Sequence, residues 1–131
     1  MGEGVESMIF LDTHAVIWLY SGQLDLFNPK VLKLINTEQV CISHIVKLEI
    51  QYLFEIKRVK YEPGLIIDTL IGEIGLTYSD NNFESIVRQA IHLSFTRDPF
   101  DRIIVADASI NNSMLISKDR NIKKYYKNTI W

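Results

Sequence analysis

Four carboxylates carry the chemistry open to this sequence: Asp12, Glu49, Asp101 and Asp119. Asp12 closes the apolar run Met8-Ile9-Phe10-Leu11, and Asp119 follows a second run, Met114-Leu115-Ile116-Ser117. Asp101 opens the apolar stretch 102–110, and Glu49 interrupts the apolar face of another helical pattern. Acids gathered from distant parts of a chain repel one another and lose hydration. Such a cluster persists when something compensates, and a hard divalent cation is the usual answer. The pattern points to a metal-dependent enzyme acting on phosphate.

Each acid also has a purely structural reading. Asp12 falls at the carboxyl end of the first strand pattern, where open α/β sheets place ligands, yet Asp is equally a favoured helix N-cap. At about 100° per residue, Ile45, Leu48, Tyr52, Leu53 and Ile56 form one apolar arc that contains Glu49, while Lys47, Gln51, Glu55 and Arg58 share the opposite face. A glutamate among core-facing neighbours needs a partner, either a metal or an ion pair with Arg102 or Arg97. Asp98 precedes Pro99, so it is biased to extended backbone and can simply shape the loop. Asp101 at the expected helix start complements the helix dipole, and capping alone would explain it. Against capping, Ile103, Ile104, Val105, Ala106, Ala108 and Ile110 make that helix apolar on nearly all sides, which puts its acidic end at an interior cleft. Asp107 points away from Asp101 and reads as a hydrogen-bonded or edge residue. Ser117 could hydrogen-bond a carboxylate or a metal-held water, or form a turn. His14 and His44 lack the second His or Cys that a zinc site requires, and no nucleophile elbow supports Ser-His-Asp chemistry.

The elements that must position these acids alternate. Short apolar runs at 8–11, 40–43, 76–78 and 114–117, with a terminal run at 129–131, read as strands. Helical patterns cover 13–20, 29–36, 44–59, 63–73, 83–93, 101–111 and 122–126. Asn28-Pro29 and Asn82-Phe83-Glu84-Ser85 are helix-start signals. Strand runs without strict polar alternation suit a sheet covered on both faces. The expected fold is a three-layer α/β/α sandwich around a mostly parallel sheet of about five strands.

Composition narrows the remainder. A chain of 131 residues is one domain, with a core that needs no staples. Its one cysteine, Cys41, lies in an apolar run, so no internal disulfide forms and the thiol reads as a small buried hydrophobe. No run approaches the roughly 20 apolar residues of a membrane span. Residues 1–7 lack the basic and apolar regions of a signal peptide and read as a flexible leader or expression remnant ahead of a domain at 8–131; a cytoplasmic location is expected. The net charge of −2 argues against a broad basic nucleic-acid surface. Local basic clusters do occur, at Lys57, Arg58 and Lys60 and at Lys118, Arg120, Lys123, Lys124 and Lys127; they are solvated helix faces or RNA contacts. Gly-rich phosphate loops are absent.

These motifs together resemble PIN-domain ribonucleases, and most closely the toxin subunits of bacterial VapBC toxin–antitoxin pairs. The resemblance rests on Ile9-Phe10-Leu11-Asp12-Thr13-His14-Ala15 with Trp18-Leu19, on Ile42-Ser43 through Leu48-Glu49-Ile50, on Arg97-Asp98-Pro99-Phe100-Asp101-Arg102 with Ile104, Ala106 and Ala108, and on Leu115-Ile116-Ser117-Lys118-Asp119-Arg120. It spans residues 8–131. It implies that Asp12, Glu49, Asp101 and Asp119 bind Mg²⁺, with Mn²⁺ as the alternative, and that Thr13, Asp98 and Ser117 support them. It further implies endoribonuclease activity on single-stranded or looped RNA, homodimerisation, and inhibition by a cognate antitoxin that carries an Arg or Lys to the acids. Ser117 stands where the family more often has threonine, and Leu48 where similar toxins often have tryptophan. Val31, Leu32 and residues 65–67 are candidates for partner contacts or for core. Two rivals stand beside this reading. One is another phosphoesterase, although His14 occupies the place where a haloacid-dehalogenase phosphatase needs its second Asp. The other is a non-catalytic PIN-fold or receiver-like module, against which the complete acidic quartet speaks.

Overall fold

The computed structural model describes residues 8–131; the expected leader at 1–7 lies outside the described residues. Five parallel strands build the sheet: β1 (Ile9–Leu11), β2 (Val40–Ile42), β3 (Thr77–Tyr78), β4 (Leu115–Ile116) and β5 (Thr129–Ile130), in the order β3-β2-β1-β4-β5. Phe10 aligns with Cys41 on one side and Leu115 on the other. Every residue of β1, β2 and β4 is buried, which is why these runs show no polar alternation.

Seven α-helices cover the faces: α1 (Thr13–Tyr20), α2 (Pro29–Thr37), α3 (His44–Glu55), α4 (Pro63–Ile74), α5 (Phe83–Ala90), α6 (Pro99–Ile110) and α7 (Arg120–Tyr125). Helices α1, α3 and α4 pack on one another, and α5 lies along α6. The core joins Leu11, Ile42, Leu115 and Ile116 of the sheet to Val16, Ile50, Ile66, Ile67 and Ile104 of the helices, all essentially inaccessible. Strand order reverses at β1, with β2 and β3 to one side and β4 and β5 to the other. At such a switch point the connections leave in opposite directions and open a crevice at the carboxyl ends of the strands. Asp12 follows β1 there, and the 117–119 segment follows β4.

Several boundaries move from their expected places for local reasons. Helix α3 stops at Glu55 rather than 59, because Lys57 takes a left-handed conformation (φ 64°) and the amides of Arg58 and Val59 return to the Leu53 carbonyl. Helix α4 ends on left-handed Gly75, so β3 starts at Thr77 instead of Leu76. Helix α6 begins at Pro99, two residues early, with Asp98 as its N-cap. The apolar arc expected on α3 is also displaced. Val46, Glu49 and Ile50 form the buried face, whereas Leu48, Tyr52 and Ile56 are 57%, 48% and 45% exposed. Val31, Ile66 and Ile67 belong to the core, and Leu65 is exposed.

Candidate active site

Three of the site acids are held by the helices they start. An aspartate that ends a strand can place one carboxylate oxygen on the first free amides of the following helix. Asp12 Oδ1 accepts from the Ala15 amide at 2.9 Å to cap α1, and Asp119 Oδ1 accepts from the Ile122 amide at 3.0 Å to cap α7. Asp98 Oδ1 caps α6, accepting from Phe100 at 2.8 Å and Asp101 at 3.3 Å. Asp98 therefore does the capping first ascribed to Asp101, and Asp101 stands in the first turn without that duty. Three helix N-termini, with their partial positive charge, converge on this crevice.

Glu49 arrives from the middle of α3 and is only 9% exposed. The buried Thr13 hydroxyl donates to its Oε1 at 2.5 Å. The alternative partners are engaged elsewhere: Arg102 Nε donates to the Thr96 carbonyl, and Arg97 to that of Ser94. Ser117 is fully buried behind the crevice; its Oγ accepts from the Asp119 amide at 3.1 Å, and it also hydrogen-bonds the Asp12 carboxylate.

Asp12, Thr13, His14, Trp18, Glu49, Asp98, Asp101, Lys118 and Asp119 line one cavity of about 400 Å³. The four expected acids and two of their three supporting residues thus share one wall, and Ser117 braces it from behind. Sequence reasoning gave His14, Trp18 and Lys118 no place among the site residues, although it weighed His14 as a zinc ligand and Lys118 as an RNA contact. Their signal was proximity, since His14 lies two residues after Asp12 and Lys118 immediately precedes Asp119. The Lys118 ammonium sits 5.8 Å from the Trp18 ring centroid. Asp107 takes no part: it is buried elsewhere, accepting from Ser79 at 2.7 Å and Asn81 at 2.8 Å.

Five carboxylates face one lysine in this cavity, and the proton affinities of Asp12, Glu49 and Asp101 record the burial and crowding. Burial pushes Asp12 above the ordinary carboxylate value, partly offset by its Ser117 and Ala15 hydrogen bonds. Glu49 is raised, first by burial and then by Asp98 and Asp12, against the Thr13 hydrogen bond and His14. Asp101 is raised to about 7 by burial together with Asp98, Asp119, Glu49 and Asp12. Such a set fits a divalent cation, because all-oxygen donors with excess negative charge are what Mg²⁺ or Mn²⁺ requires. Among the described residues no three of these groups close into a tight cage.

The fold is similar to that of known proteins. The fold resembles the structure of VapBC2 from Rickettsia felis bound to a DNA fragment from its promoter (17% identity, 94% of this chain and 96% of that one, TM-score 0.65). It also resembles a toxin–antitoxin complex from Klebsiella pneumoniae (16% identity, 94% and 96%, TM-score 0.59) and PAE2754 from Pyrobaculum aerophilum (17% identity, 95% and 83%, TM-score 0.61). No curated protein matches the sequence. Residues 9–128, nearly the whole described chain, match the PIN domain, and the protein belongs to the PIN-domain family.

Proposed function

We propose that this protein is a divalent-metal-dependent endoribonuclease, the toxin of a toxin–antitoxin pair. The observation that carries the reading is the convergence of Asp12, Glu49, Asp98, Asp101 and Asp119 on one cavity at the strand-order switch point, with Asp101 raised to about 7. Asp12, Glu49, Asp101 and Asp119 would hold Mg²⁺ or Mn²⁺, which when bound supplies charge stabilisation for water attack on a phosphodiester. The chain's own part is positioning. Amide caps fix the Asp12 and Asp119 carboxylates, and Thr13 fixes Glu49 so that it can orient the attacking water. Lys118 beside Trp18 offers a cation to a neighbouring phosphate oxygen.

Two of the similar structures are toxin–antitoxin assemblies, which supports the toxin assignment and a cognate antitoxin as inhibitor. An antitoxin tail would bring an Arg or Lys to the same acids. Contact with an antitoxin and with a second copy of the chain draws support from the exposed stripe Leu48, Tyr52 and Ile56 beside Phe100, whose ring lies 5.9 Å from that of Tyr52. Among the described residues no helix is long and apolar enough to cross a membrane, and we place the protein in the cytoplasm with its RNA substrate.

The test is cleavage of single-stranded RNA by purified protein with Mg²⁺ or Mn²⁺, with EDTA, and in the Asp12→Asn variant. Wild type should cut only with metal, and Asp12→Asn should lose at least about a hundredfold in rate. Equal cleavage by the variant would remove the acids from the chemistry.

A further inference from the structure

A second groove, of about 730 Å³, shares His14 and Trp18 with the acid cavity. One of its walls is a face of α1, where His14, Ile17, Trp18 and Ser21 recur at helical spacing. The other is the loop after α3, which brings Arg58, Lys60 and Tyr61 across from Tyr20. Left-handed Lys57 creates that loop, and the return of the Arg58 and Val59 amides to the Leu53 carbonyl fixes it. The Tyr20 and Tyr61 rings meet edge to face at 5.4 Å, so the far end of the groove carries an ordered aromatic pair. From Asp12 to Tyr20 the rise along α1 is about 12 Å.

No carboxylate lines this groove, while Arg58 and Lys60 do, in direct continuity with a cavity of five carboxylates. Charge therefore changes sign along one continuous path. A basic protein segment suited to the acids would meet like charge at Arg58 and Lys60. A nucleic-acid strand avoids this: the phosphate undergoing attack would lie at the acids that hold the metal, and flanking phosphates would reach the cations. Its bases have planar faces for Trp18, Tyr20 and Tyr61, and stacking on aromatic rings is tolerant of sequence. We infer that this groove is the track for single-stranded RNA flanking the cleaved phosphodiester, with Arg58 and Lys60 as phosphate contacts and Tyr61 as a base-stacking platform. The inference rests on the ribonuclease reading above.

Binding is the discriminating measurement, since it can be read apart from cleavage. Fluorescence anisotropy of a short labelled single-stranded RNA is followed in Ca²⁺ across a salt series for wild type, Arg58→Ala/Lys60→Ala and Tyr61→Ala. Loss of two phosphate contacts should lower the slope of log affinity against log salt by about 1.4 and weaken binding about tenfold at low salt. Tyr61→Ala should weaken binding by at least about fivefold with the slope unchanged. In Mg²⁺ both variants should raise KM with kcat preserved. Wild-type affinity and slope in both variants would overturn the track and hand the groove to a protein partner, leaving the nuclease reading intact wherever wild type still cleaves. If wild type binds RNA with the expected slope loss in the double variant yet never cleaves it, the track stands and the nuclease reading falls. If wild type neither binds nor cleaves RNA, both fall.

Discussion

Thr13 shows how much the site depends on one hydroxyl. It is buried, adjacent in sequence to Asp12, and donates to Glu49 from 36 residues away, so it couples two of the four acids. Replacing it with valine keeps the volume and removes the donor, leaving Glu49 buried with no hydroxyl to share its charge. Outer-shell partners of metal ligands typically govern affinity or rate by about 10- to 100-fold. Thr13→Val should lose activity in that range and weaken Mg²⁺ binding, and Thr13→Ser should recover most of both. Activity that survives in Thr13→Val would show that Glu49 needs no fixing. Asp12 and Asp119 were legible in the sequence because each follows a strand, a position that physics ties to an α/β crevice, and Asp101 because it lies at the start of an apolar helix; Glu49 stood out only as an acid among apolar neighbours in mid-helix. Lys118 was not legible, since an exposed lysine in a basic run has many solvated explanations and only its placement over Trp18 separates it from them.

At the scale of the element, α6 separates two jobs that the sequence left entangled. Asp98 caps the helix and Asp101 faces the cavity, one turn further in. Asp98 is also among the charges that raise Asp101 and Glu49, so it helps the helix and burdens the site. Asn keeps a side-chain oxygen for the cap while removing the charge; Ala removes both. Metal-free Asp98→Asn should be at least as stable as wild type, and Asp98→Ala should fall below Asp98→Asn by about 1 kcal/mol in denaturant unfolding. Equal stability of the two variants would deny the cap. The Asp-Pro pair signalled a boundary without saying on which side the helix lay; Pro at the first helical position decides it. For α3 the error was of phase. Leu48, Tyr52 and Ile56 have core-like chemistry and stand in the open, because apolar periodicity marks what will be covered without telling which covers are intramolecular.

For the whole molecule, the strand order was not readable from any run, but sheet class and layering were, because buried runs separated by helices leave parallel pairing as the usual solution. Concentrating five acids at one end of that sheet links stability to pH. Folding raises the Asp101 proton affinity from 3.8 to about 7, so between those values the folded state holds more protons than the unfolded one. Stability of the metal-free protein must then decline as pH rises through this window, and full stability belongs to its acid side. Mg²⁺ held by the acids as proposed would compete with those protons and relieve the repulsion once they leave. The rise in melting temperature on adding Mg²⁺ should accordingly be larger at about pH 8 than at about pH 5.5, and Asp101→Asn should flatten the difference. The same Mg²⁺ shift at both pH values would mean that the acids do not receive the ion.

The chain has two tryptophans, and both lie at this end of the molecule. Trp18 lines the acid cavity and stands 5.6 Å from Trp131, whose indole N–H donates to the Leu26 carbonyl and whose ring stacks on Phe27 at 4.6 Å. With no other indole anywhere in the sequence, all of the protein's tryptophan emission originates from one aromatic cluster that touches the acids, the Lys118 ammonium and the entrance to the basic groove. The protein thus carries an intrinsic optical probe at the junction of the acid cavity and the basic groove. Metal and an inhibitory partner's cation would reach the acid side of that probe, and RNA would reach its groove side as well, so their arrival can be followed in unlabelled protein.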